Sequence, residues 1–193
     1  MQYIDNFAGK FLKEEIENHV LYSELSKWNY RSATSASGEY DYQANDFTWI
    51  EDYLTEDTMQ FIRMIDFNSN ELSIFSPLIH NIMQLVNSKI KVERIKVNLL
   101  LPTIKKIDNS YHRPHIDHGN PEVKTLLYYI NDSDGDTVFF DKTWTGADPG
   151  QLKIINRITP KAGSAVLFDS NQYHASSTPT VGVRSVLNVV FYK

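Results

Sequence analysis

His112-Arg113-Pro114-His115-Ile116-Asp117-His118 stands near the middle of this 193-residue chain, in a stretch that reads as strand-like. Residues separated by one lie on the same side of a strand, so His115 and Asp117 can aim an imidazole nitrogen and a carboxylate oxygen at one point. A second imidazole is available far downstream in His174, and Arg184 follows it. Two histidines and one carboxylate on one face leave about three positions of an octahedral metal open, which is what Fe(II) needs to hold a chelating ligand and oxygen together. Structural zinc sites close their shell instead. A His-x-Asp triplet alone is most often a surface turn, so the weight falls on its partners. Ala165-Val166-Leu167-Phe168 is a short apolar run just before His174, and Arg184 opens the alternating run that ends at Phe191.

Working outward from that stretch, the chain changes character near Lys89. Before it the spacing is helical: Phe7, Phe11, Leu12, Ile16, Val20 and Leu21 lie close to one stripe, with Lys13, Glu14, Glu15 and Glu17 opposite. A second apolar pattern runs from about Phe47 to Ile65, with a helix start at Thr55-Glu56-Asp57. Asn70 to Ser88 gives the strongest helix signal, with Pro77 expected within a turn of its start. The small, polar, aperiodic segment Ser32 to Gly38 reads as a mobile loop.

After Lys89 short β-branched runs replace helical spacing: 90–101, 125–130, 137–140, 152–158, 164–168 and 185–192. Six short strands imply a sandwich or barrel. Between two of them, Asn131-Asp132-Ser133-Asp134-Gly135-Asp136 carries Asp-Gly, a hairpin signal because glycine accepts the positive φ of such turns. Its acidic cluster is a weaker candidate for calcium, since the glycine is misplaced for an EF-hand loop.

Composition bounds the function. A chain of 193 residues, 41% hydrophobic and 12% aromatic, fits one domain with a real core. With 24 acidic against 19 basic side chains there is no broad positive surface for a phosphate backbone, which makes nucleic acid a minority hypothesis. The absence of cysteine excludes disulfides, thiolate metal sites and cysteine nucleophiles, so any metal must take nitrogen and oxygen ligands. No apolar run approaches the ~20 residues of a membrane span, and the N-terminus lacks a signal-peptide pattern. A cytoplasmic protein is the resulting expectation; the oligomeric state is not legible.

Taken together, His115-Ile116-Asp117, Leu127-Tyr128-Tyr129-Ile130-Asn131, Asp134-Gly135-Asp136-Thr137, Pro160 through Phe168, His174 and Arg184 resemble, in order and approximate spacing, the 2-oxoglutarate- and Fe(II)-dependent dioxygenases, in particular their prolyl-4-hydroxylase-like branch. Tyr3-Ile4-Asp5-Asn6-Phe7 also resembles that family's N-terminal strand. The resemblance implies an α+β fold with a double-stranded β-helix, or jelly-roll, core and N-terminal supporting helices. It divides one 1–193 domain into 1–89, mainly helical support, and 90–193, the jelly-roll core with the metal site.

By the same resemblance, His115, Asp117 and His174 are the iron ligands, and Arg184 grips the distal carboxylate of 2-oxoglutarate through a two-pronged, charge-assisted pair. Tyr129 shares that carboxylate, and Asn188, four residues along from Arg184, faces the same pocket. The chain departs from the pattern at Leu101-Pro102, where many prolyl hydroxylases carry a tyrosine before the proline. His112 and His118 suit solvent or second-tier roles better than ligation, and His19 and His80 suit structural ones.

The implied activity is hydroxylation of a C–H bond, with a prolyl residue of a peptide or protein as leading substrate, coupled to oxidative decarboxylation of 2-oxoglutarate to succinate and carbon dioxide. Fe(II), 2-oxoglutarate and molecular oxygen are required, and ascorbate is a further candidate cofactor. Because Asp117 is present, hydroxylation is favoured over halogenation. Other protein side chains or a small molecule are alternative substrates, and Trp144 and Tyr173 are candidates for stacking on a flat apolar group. Two rival classes stand beside this. One is a metal-dependent hydrolase, whose His-x-His-x-Asp-His motif is approximated with one member misplaced; the other is a non-catalytic jelly-roll binding module.

Overall fold

The computed structural model describes residues 1–23, 27–31, 34, 58–103 and 110–193. Among these, the order is β1 (Gln2–Ile4), α1 (Gly9–Glu17), a π turn (Asn18–Tyr22), β2 (Asn29–Arg31), β3 (Gln60–Met64), α2 (Leu72–Val86), β4 (Lys91–Leu100), β5 (Val123–Tyr129), β6 (Thr137–Thr143), β7 (Ile154–Ile158), β8 (Ala165–Asp169), β9 (Gln172–Ser176) and β10 (Arg184–Tyr192). Seven strands form one antiparallel sheet in the order β1-β8-β5-β10-β4-β3-β2, and three form a second, β7-β6-β9. Two facing sheets with this strand order are the double-stranded β-helix expected from the sequence.

Antiparallel partners share a face, so register alone sorts the large sheet into two layers. Ile95, Val97, Leu126, Tyr128, Leu187, Val189 and Phe191 point outward, where α1 and α2 cover them with Ile16, Phe75, Leu78 and Ile82. Each such buried side chain stabilises the fold by about 1.5–3 kcal/mol. The inward layer begins with Arg184 opposite Leu100, then Val186 opposite Tyr129 and Asn98, Asn188 opposite Leu127 and Lys96, and Val190 opposite Thr125 and Arg94. From the small sheet, Phe139, Ile158 and His174 face this layer; Val138, Phe140, Tyr173 and Ala175 form a separate cluster capped by Tyr111.

Several sequence expectations are corrected. Phe11, placed in the first helical stripe, is 83% exposed because the buried face of α1 runs through Ile16 and on to Val20. Residues 60–64 form strand β3, held on one side by β4, rather than helix; the proposed helix start at 55–57 and the loop 32–38, apart from Thr34, lie outside the described residues. Pro77 sits in the second turn of α2, not the first. The Asp134-Gly135 segment does not close a hairpin, because β5 belongs to the large sheet and β6 to the small one. Glycine is needed there for closeness instead of a positive φ: a Cβ on Gly135 would lie 2.7 Å from the Ser177 carbonyl oxygen and 3.0 Å from Arg184 Cδ. The nearby carboxylates are spent on turns, Asp134 on Thr180 and Val181, Asp132 on the Ala162 N–H, Asp136 on Thr159 and Arg157.

Candidate metal and cosubstrate site

His115 lies not in a regular strand but on a single antiparallel bridge to His174, with His115 N–H donating to the His174 carbonyl at 2.9 Å and His174 N–H returning the bond at 3.0 Å. That bridge, at the edge of the small sheet, sets the two imidazoles 4.5 Å apart between ring centres. Asp117 is turned inward two residues later, its backbone N–H held by the Ser170 carbonyl at 2.9 Å. One donor atom from each of His115, Asp117 and His174 falls within 4.8 Å of the others, and no other such metal-binding group is found among the described residues.

The protonation states suit ligation. Nδ1 of His115 points at the Arg113 carbonyl at 3.3 Å and Nδ1 of His174 at the Gln172 carbonyl at 3.0 Å. A carbonyl only accepts, so each Nδ1 carries a proton and each Nε2 is the ring nitrogen turned toward the other donors. Burial, and next the neighbouring His174, push His115 down to about 3, leaving it neutral near pH 7. Burial works against the Asp117 carboxylate, but His174, Arg94, His115 and Lys96 outweigh it and hold the group well below the usual carboxylate range. Arg94 Nη2 donates to its Oδ1 at 2.9 Å and Asn188 Nδ2 to its Oδ2 at 2.9 Å, the latter oxygen lying 3.6 Å from His174 Nε2.

Deeper in the barrel, Arg184 is 3% exposed. Its Nε donates to the Gly135 carbonyl and one terminal nitrogen to Thr137 Oγ1, both at 2.8 Å; Tyr129 donates to the same oxygen at 2.9 Å. Burial raises the Tyr129 phenol to about 12, so it stays a neutral donor. Among the described residues, no carboxylate lies within ion-pair distance of Arg184, so a buried guanidinium stands without its countercharge. A carboxylate is the group whose chemistry would answer that guanidinium.

Of the residues singled out in the sequence, the structure brings His115, Asp117 and His174 together and joins Arg184 to Tyr129 through Thr137. Asn188 is on the inward face as expected, but its amide is spent on Asp117. Leu101 lies just past β4 and is 42% exposed, and the residue opposite Arg184 is Leu100. His112 is not solvent-facing: it is fully buried, with Ser176 Oγ on Nδ1 at 2.8 Å and Thr178 and Thr58 hydroxyls on Nε2 at 2.7 and 2.9 Å. That placement removes it from the hydrolase-like motif. His118 contacts Glu93 at 3.7 Å and caps the Asn120 N–H. Tyr173 is core, whereas Trp144 lies on a groove with Gly119, Pro121 and Asn171 beside the Asp117 loop. Sequence reasoning missed Arg94 and Lys96, and it quoted Gly135 and Thr137 without giving either a role at the site. The polar-apolar alternation Arg94-Ile95-Lys96-Val97-Asn98 was the available signal for the first two.

This fold and donor set define the class: a jelly-roll with two histidines and one carboxylate grouped so that they could hold a metal. Residues 103–192, the stretch that carries His115, Asp117, His174 and Arg184, match the model of the 2OG-Fe(II) oxygenase superfamily. Fe(II) and 2-oxoglutarate are the metal and cosubstrate of that family. A prolyl hydroxylase from Trichoplax adhaerens, solved with a hypoxia-inducible-factor degradation-domain peptide, superposes with a TM-score of 0.62 at 16% identity, covering 99% of this chain and 82% of that one. The α-ketoglutarate-dependent epimerase SnoN of nogalamycin biosynthesis gives 0.62 at 10% identity, covering 99% and 75%. The viral collagen prolyl hydroxylase of Paramecium bursaria Chlorella virus-1 gives 0.55 at 15%, covering 100% and 96%. At these identities the likeness is one of fold. No curated protein matches the chain.

Proposed function

We propose that the protein is a 2-oxoglutarate- and Fe(II)-dependent dioxygenase that hydroxylates a C–H bond, with a prolyl residue as the leading substrate. The observation that carries this is the pairing, inside one barrel, of three metal-type donors within 4.8 Å and a buried guanidinium lacking a carboxylate. His115, Asp117 and His174 hold the metal. Arg184 takes the distal carboxylate of 2-oxoglutarate, and Tyr129, a neutral phenol beside Thr137, is positioned to share it. Arg94 and Asn188 fix both oxygens of Asp117, which keeps that carboxylate an anion aimed at the cation. Phe139, Phe168 and Val186 line the interior and keep water from it. Fe(II), when bound, supplies the oxidising chemistry that couples loss of carbon dioxide from 2-oxoglutarate to oxygen insertion.

Support for a prolyl substrate is the presence of prolyl hydroxylases among proteins of this fold and the Trp144 groove beside the Asp117 loop, a surface on which a proline ring can stack. One folded unit, with α1 and α2 bracing the large sheet and the barrel carrying the chemistry, is the matching domain organisation. The test is direct. Incubation with Fe(II), 2-oxoglutarate and oxygen should form succinate, and a panel of proline-containing peptides should yield a product heavier by one oxygen. The His115→Ala variant should fall to background in succinate and in ferrous uptake by calorimetry; unchanged turnover would remove the metal assignment.

A further inference from the structure

Strand β4 carries an unusual inner face for a barrel wall: Arg94, Lys96 and Asn98 point inward, between outward Ile95 and Val97. Lys96 stands opposite Asn188, which itself holds Asp117. Arg94 reaches both partners, donating to Asp117 at 2.9 Å and to Asn188 Oδ1 at 3.3 Å. On the outermost strand, Arg31 pairs with Gln60, which pairs with Leu100, so it lies on the same face, and its charge acts on Lys96. Arg94 and Lys96 therefore stand beside the metal donors, with Arg31 further out and exposed on the same face, and among the described residues Asp117 is the anion that acts on Lys96. Among the described residues Lys96 makes no hydrogen bond and no ion pair.

Charge balance sharpens the point, and it rests on the dioxygenase reading above. The two positive charges of Fe(II) and the one on Arg184 are cancelled by Asp117 and the two carboxylates of 2-oxoglutarate. Arg94 and Lys96 are left over, in a partly buried site where an uncompensated cation is costly. A prolyl ring alone would not answer them.

We propose that the oxidised substrate carries a carboxylate, which docks on Lys96 with Arg94 and Arg31 reinforcing, and that this group orients the reacting C–H bond toward the metal. The carboxylate has two sources, the terminus of a small molecule or peptide, or an acidic side chain next to the oxidised residue.

The test is equilibrium binding to protein loaded with Mn(II) and 2-oxoglutarate without oxygen, using N-acetylproline, its neutral isostere N-acetylprolinamide, and an acetylated, amidated Pro-Asp dipeptide. We expect at least one carboxylate probe to bind about tenfold or more tighter than the amide, one charge-assisted contact's worth. That preference should vanish in Lys96→Met and persist in Lys96→Arg. N-acetylproline binding best marks a terminal carboxylate, the dipeptide an internal acidic one. Equal binding of charged and neutral probes, or a preference that survives Lys96→Met, overturns the proposal. So does a fall in 2-oxoglutarate affinity in Lys96→Met matching that of the probes, since Lys96 would then serve the cosubstrate. Because binding needs no turnover, a chain that discriminates the probes through Lys96 yet forms no succinate would sink the oxygenase reading and leave the carboxylate site standing.

Discussion

At the scale of single residues, the site depends on groups that carry no chemistry themselves. Gly135 is the clearest: its missing Cβ lets the Ser177 carbonyl and the Arg184 stem close over it, and its own carbonyl accepts from Arg184 Nε. In Gly135→Ala the new methyl meets a backbone oxygen at 2.7 Å, which cannot swing away as a side chain can, so the guanidinium must move. We expect 2-oxoglutarate affinity to fall by roughly tenfold or more while ferrous affinity changes little, since contacts to a charged group contribute about 1.5–3 kcal/mol. Calorimetric titration of each ligand checks this, and unaltered 2-oxoglutarate binding would show that Arg184 is not held through residue 135. The three proposed metal ligands were picked out in the sequence because His-x-Asp, a later histidine and an arginine are rare in that joint order, and the structure brings their donor atoms together. Thr137, which joins Arg184 to Tyr129, was not picked out, because a threonine opening a strand looks like any β-former.

At the scale of elements, alternation located six strands but left β9 unseen. Gln172-Tyr173-His174-Ala175-Ser176 alternates, but its inward face is polar, with Gln172, His174 and Ser176, and only Tyr173 and Ala175 on the other face are apolar, so no apolar run marks it. Strand β3 was misassigned for a related reason: Arg63 interrupts its pattern, yet its guanidinium is buried against Trp28 and 3.2 Å from Glu71. Helix α2 was the easiest to find, because Phe75, Leu78 and Ile82 repeat at helical spacing and all three are fully buried on the large sheet. Truncating Leu78→Ala should destabilise the protein by about 2–5 kcal/mol, from lost burial plus the cavity left behind. Denaturant titration measures it, and the remaining folded fraction should keep its affinity for metal, because the helix packs on the face of the sheet opposite the site.

At the scale of the whole molecule, the barrel buries a neutral histidine, and stability should respond to pH. His115 falls from its ordinary value of 6.5 to about 3 in the folded state, so between those values the unfolded chain binds a proton that the native one refuses. Stability is therefore lost as pH falls from 6.5, by up to about 1.4 kcal/mol per unit for this group. Asp117, also depressed, acts in the same direction only below its unfolded value near 3.8. The melting temperature of metal-free protein should drop between pH 7 and 4.5, His115→Asn should flatten that slope, and added divalent cation should raise the curve at pH 7; identical slopes in the two proteins would contradict a buried neutral His115.

By itself the sequence determined the β-rich second half, the helical brace around α2, the nitrogen-and-oxygen character of any metal site and the three candidate donors for it, because periodicity and residue chemistry are local properties. Only the tertiary structure decided that a single bridge brings His115 to His174, that Asn188 serves Asp117, that Leu100 and not Leu101 stands opposite Arg184, and that Arg94 and Lys96 stand beside the metal donors. Those facts depend on which strands pair and in what register, and register is set by the packing of two sheets and two helices together rather than by any one segment.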